Sequence, residues 1–190
     1  MASESYKKWI IIAVIIIVGG FLIISIIQSK KGGEVSSERR TNETSLTGPL
    51  LDPESEERRA TARLEELSGN PVALATLGDE YFENKRYLMA IKVYEKVLEL
   101  NPDDVDTYND LGLSLHFSGR SDEALIKLRK GVEMDPKFQR IWLSLSFVLI
   151  ATGQTEEARG ILEKTIEIDP ASDIGAEAKK FVSFLDNNKQ

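Results

Sequence analysis

The sequence has no cysteine and one histidine in 190 residues. The first absence excludes a disulfide framework, a zinc–thiolate site, a lipid-modified cysteine and a thiol nucleophile. The second excludes histidine-rich metal sites. Basic residues are in deficit: 24 Lys and Arg stand against 31 Asp and Glu, a net charge of −7. Residues 1–50 carry six basic and four acidic side chains, so residues 51–190 carry 18 and 27, a balance of −9. That acidic part lacks the basic stripe that nucleic-acid phosphates need, so no nucleic-acid partner is expected. There is also no nucleophile–base pair, no Gly-rich phosphate loop and no metal-ligand spacing. Asp103, Asp104 and Asp106 lack the glycine and the closing glutamate of a calcium loop, and suit a helix N-terminus instead. His116 stands alone in the sequence. Neither an enzyme nor a cofactor or metal is expected.

Charge is missing altogether between Lys8 and Lys30. The 19 residues Trp9–Ile27 include ten Ile, two Val, one Leu and one Phe. A helix of that length spans about 28 Å, close to the hydrocarbon thickness of a bilayer. β-Branched residues are mediocre helix formers in water, but in lipid the backbone has no other partner. Tyr6, Trp9 and the lysine pairs at 7–8 and 30–31 resemble interfacial anchors. A cleaved signal would want a small-residue cleavage site, and Gln28-Ser29-Lys30-Lys31 offers none. The expectation is a short tail (1–8), an uncleaved transmembrane anchor (9–29) and a flexible linker (30–52). Flanking charge slightly favours a cytoplasmic C-terminal side; a long C-terminal domain crosses largely regardless of such charge.

The rest of the chain repeats. Asn101-Pro102, Asp135-Pro136 and Asp169-Pro170 stand 34 residues apart, as do Ala90, Ala124 and Ala158. Leu77, Leu111 and Leu145 keep the step; so do Leu74, Tyr108 and Trp142, and Tyr94, Leu128 and Leu162. Within each unit the apolar residues fall at helical spacing, giving two amphipathic helices per unit. Gly119 and Gly153 suit the turns between them, with Ser121 and Thr155 as expected N-caps. Gly131 and Thr165, where Val97 stands in the first unit, predict looser packing in the second and third. One such pair cannot bury its apolar face alone, so neighbours must stack.

An aromatic, then Leu-Gly, Tyr, Ala, an aromatic and Pro over 34 residues resembles the tetratricopeptide repeat family. The resemblance implies an all-α chain: the transmembrane helix, the linker, then a right-handed α-solenoid of three helix pairs with helical caps. The units are 53–68 (half-repeat cap), 71–104, 105–138, 139–172 and 173–187 (C-terminal cap). It also implies that the first helices line a concave groove for a peptide or a partner helix. That groove would present Asp79 and Phe82; Asn109, Asp110, Leu113, His116 and Phe117; and Arg140, Leu143 and Phe147. One subset of the family clamps chaperone C-terminal carboxylates; its positions here are Ala75, Asp79, Asp110, Arg140 and Ser144. Only Arg140 is basic, so a ligand carboxylate would meet like charge. The expected partner is a protein or peptide with an amphipathic or basic segment.

Taken together, these features resemble bacterial inner-membrane tetratricopeptide proteins whose repeat domain lies in the periplasm and assists envelope assembly, including c-type cytochrome maturation. A chaperone-like holdase and a cytosol-facing membrane receptor subunit are the alternatives.

Overall fold

A computed structural model describes residues 53–188 of the chain. The tail (1–8), the anchor (9–29) and the linker (30–52) lie outside the described residues. Among those described, no helix is long and apolar enough to cross a membrane. The described residues form eight helices and no strand. They are α1 (Pro53–Glu66), α2 (Pro71–Glu83), α3 (Tyr87–Leu100), α4 (Val105–Phe117), α5 (Ser121–Met134), α6 (Gln139–Ala151), α7 (Thr155–Ile168) and α8 (Asp173–Asn187).

Helices α2 and α3, α4 and α5, and α6 and α7 pack as pairs, and α8 packs on α7. The first helices α2, α4 and α6 also lie beside one another, with α4 in the middle. The packing follows from the repeated apolar positions. Leu74, Val97, Leu111, Leu128, Ile141, Leu149 and Leu162 are fully buried. Each buried leucine of this kind contributes about 1.5–3 kcal/mol. Small residues set the distance between paired helices. A Cβ on Gly112 would lie 2.6 Å from Leu128 Cγ, and one on Gly78 would meet the Tyr94 ring.

The helix ends differ from expectation in one respect. Ser121 and Thr155 are not N-caps: the cap positions fall on Arg120 and Gln154, whose side chains make no cap hydrogen bond. The preceding glycines, with φ of +87° and +80°, close the turn so that the Arg120 and Gln154 amides donate to Leu115 and Leu149 carbonyls. The helices thus begin one residue early for those hydroxyls. Side-chain caps occur instead where units begin. Asn70 Oδ1 accepts from Ala73 N at 3.1 Å, and Ser172 Oγ accepts from Gly175 N at 2.9 Å.

The expected looseness at Gly131 and Thr165 is absent. Gly131 is buried, and Ile141 fills the space beside it, with Tyr108 Cβ 3.1 Å from where a Cβ would stand. Thr165 is fully buried, and its hydroxyl donates to Ile161 O at 2.8 Å.

Candidate functional site

Because α2, α4 and α6 lie side by side, residues at equivalent turns of the three helices meet. Two clusters result. The first is aromatic and sits at the C-terminal ends of the helices. Phe82, Phe117 and Phe147 follow one another with ring centroids 5.9 and 6.0 Å apart. His116 lies 5.3 Å from both Phe117 and Phe147. Tyr87, from the first turn of α3, stacks on Phe117 at 5.3 Å and meets the Phe82 edge at 5.5 Å. Aromatic pairs at these separations add about 0.5–1.5 kcal/mol beyond the area they bury. His116 Nδ1 lies 2.9 Å from Ser121 Oγ, and burial lowers the imidazole pKa from its ordinary value.

The second cluster is polar. Arg140 donates to Asp110 Oδ1 at 2.9 Å, and its Nη2 lies 3.2 Å from Asp106 Oδ1. Its guanidinium also lies over the Phe138 ring, 5.7 Å from the centroid. Asn109 Nδ2 donates to the same Asp110 oxygen at 2.9 Å. Tyr94 reaches across from α3 and donates its hydroxyl to Asp79 Oδ1 at 2.7 Å. Burial raises the carboxyl pKa of Asp79, and the Asp110 charge raises it further. Burial also raises Asp110, against the pull of Arg140. A carboxylate touching a guanidinium and an amide donor still stays ionised at neutral pH. Three carboxylates thus face one guanidinium, an excess of two negative charges. Two buried atoms in this cluster, Asn109 Oδ1 and Arg140 Nε, have no hydrogen-bond partner.

The ten residues singled out by sequence therefore meet on one layer, with unequal access. Asn109 is 2% exposed and Leu143 5%. Phe82 and Phe147 are almost as buried, at 9% and 6%, and serve chiefly as packing between units. Asp79 is exposed, and Asp110, Leu113, His116, Phe117 and Arg140 are half-buried; these offer the surface a partner would touch. Two contributors escaped the sequence reading. Tyr87 belongs to a second helix, and Tyr94 looked like a core position. The signal for Tyr94 was its hydroxyl, which a fully buried tyrosine must satisfy. Among the described residues, no group of three or more His, Asp or Glu could hold a metal.

Comparison with known proteins gives the repeats their name. Residues 78–119 match the family model described as "TPR repeat", and residues 118–179 match the one described as "Tetratricopeptide repeat". The peroxisomal targeting signal receptor of Kluyveromyces lactis is 32% identical over 77 residues, 40% of this chain and 14% of the receptor. The receptor of Candida albicans is 33% identical over 70 residues, 37% of this chain and 12% of the receptor. The chain thus spans a small part of the curated relatives it matches. Among solved structures, the TPR2B domain of yeast Sti1 in its Hsp70 complex has a TM-score of 0.59 at 20% identity, covering 63% of this chain and 98% of that one. The first repeat domain of Spaghetti (RPAP3), bound to the HSP90 peptide SRMEEVD, has 0.57 at 18%, covering 63% and 93%. The Sgt2 domain of Aspergillus fumigatus has 0.57 at 21%, covering 62% and 77%. At these identities the likeness is one of fold. Over residues 78–179 the chain is a tetratricopeptide repeat protein.

Proposed function

We propose that this protein is a membrane-tethered interaction module without catalysis of its own, and that it holds a basic amphipathic segment of a partner against the layer formed by α2, α4 and α6. The supporting observation is the adjacency of the two clusters. Phe117, Leu113 and His116 offer an apolar strip, and Asp79, Asp106 and Asp110 beside it outnumber Arg140. An amphipathic helix lays apolar side chains on the strip and cationic ones on the acids. The neighbours that carry chaperone peptides support peptide capture as a class of function. They do not extend to chaperone tails for this chain, because Arg140 is already paired by two carboxylates and an acidic tail would be repelled.

The access pattern sets the test. Phe117→Ser removes the half-exposed centre of the strip. It is expected to weaken partner binding at least tenfold while leaving helical circular dichroism unchanged. Phe147→Ser is expected to cost about 3 kcal/mol or more of stability, because that ring is buried between units. If the two effects were exchanged, the strip would be packing alone.

Tethering by residues 9–29 places this capture at a membrane, and assembly of envelope proteins is the setting we favour, c-type cytochrome maturation included. A reporter fused after Gln190 and read on both sides of the membrane tests it. An extracytoplasmic signal is expected. The second reading, a cytosol-facing receptor subunit, draws on the sequence likeness to peroxisomal targeting signal receptors, and a cytoplasmic signal would replace the first reading with it.

A further inference from the structure

Helix α1 meets the first pair differently from the way later pairs meet one another. Glu80 is followed at 34-residue steps by Ser114 and Val148, both fully buried. Glu80 itself stays half-exposed and accepts both ends of the Arg63 guanidinium, each at 3.1 Å. Arg86 is followed by Arg120, which forks onto Glu123 of its own helix. The first-unit counterpart of Glu123 is Met89, so no such partner awaits Arg86 there. Its guanidinium lies over the Tyr81 ring instead, 5.0 Å from the centroid. The junction that is apolar and closed between later units is here polar and open. It encloses a cavity of about 180 Å³ lined by Arg59, Ala60, Arg63, Glu80, Tyr81 and Arg86.

Three guanidiniums and one carboxylate leave this cavity with an excess of two positive charges. That stands out in a part of the chain whose balance is −9. The cavity walls include the buried Ala60 and Tyr81. Guanidinium forks match the geometry of phosphate and carboxylate oxygens, and a doubly charged anion matches the excess better than a singly charged one. We propose that the cavity between α1 and the first helix pair is a binding site for a phosphate dianion, either free or carried on a phosphorylated side chain. It is separate from the layer of α2, α4 and α6, so its failure would leave the proposed function untouched.

Glu80 competes with the incoming anion for Arg63, which gives the test a sign that misfolding cannot mimic. Inorganic phosphate, O-phosphoserine and acetate are titrated into the full chain by calorimetry, with ionic strength held constant by chloride. Phosphate and O-phosphoserine are expected to bind measurably more tightly than acetate, and binding should weaken as pH falls through about 6, where the dianion gains a proton. Whichever of the two phosphates binds more tightly identifies the source. Arg59→Gln, a change at an exposed side chain, is expected to weaken binding about fivefold. Glu80→Gln is expected to tighten it about threefold or more, by releasing Arg63. Phosphate binding no stronger than acetate, indifference to Arg59→Gln, or weakening by Glu80→Gln would each overturn the site.

Discussion

Lys85 has φ of +59°, the sole positive value at a non-glycine residue among those described. Gly119 and Gly153 occupy the same place in the next two units, at +87° and +80°. The turn between paired helices needs a left-handed residue, and a side chain there costs about 1–2 kcal/mol. Part of that is recovered because lysine has less freedom to lose from the unfolded chain than glycine. The Lys85 side chain is exposed, and its amide bond to Phe82 O at 2.9 Å survives substitution. Lys85→Gly should therefore stabilise the domain by about 0.5–1 kcal/mol, read as a higher urea midpoint at unchanged slope. A lower midpoint would show that the side chain matters more than the turn.

At the scale of elements, one side chain joins three helices. Gln139, at the start of α6, donates to Thr165 O at 2.7 Å and Asp169 O at 2.9 Å, and accepts from Ser172 Oγ at 2.7 Å. It thereby ties the end of α7 and the cap of α8 to α6. Gln139→Met keeps the volume and removes all three bonds, leaving polar groups without partners. The expected cost is about 1–3 kcal/mol, with hydrogen exchange accelerated first in α8. Uniform acceleration across α2–α8 would mean that α8 is not separately held.

The same scale shows what was readable in advance. The 34-residue step fixed which residues pack, because Leu77, Leu111 and Leu145 can share a register only if the helices recur. Cap chemistry was missed at Ser121 and Thr155, because a cap depends on the helix start to within one residue. Here the left-handed glycines decide that start. Gly131 was misjudged for a related reason: propensity penalises a glycine in a helix, but Ile141 needs the space it leaves.

For the whole molecule, periodicity located the layer that carries the candidate site but could not grade access to it. Phe82, Phe117 and Phe147 occupy equivalent positions, and only Phe117 keeps substantial surface. The pairing of Arg140 with Asp106 and Asp110 joins two units, so it is invisible to any local pattern. That pairing nevertheless sets the sign of the site, and the sign is the account's central claim.

The most direct test is fluorescence anisotropy with two labelled amphipathic helical peptides of equal length. They share an apolar face and differ only in carrying lysine or glutamate on the polar one. The full chain should bind the lysine peptide at least tenfold more tightly. Its binding should weaken with salt, and with acid as Asp79 and Asp110 gain protons above the ordinary carboxyl range near 3.8. Phe117→Ser should abolish the preference by weakening the lysine peptide. Equal affinity for both peptides, or tighter binding of the glutamate peptide, would contradict an acid-bordered groove for basic partners.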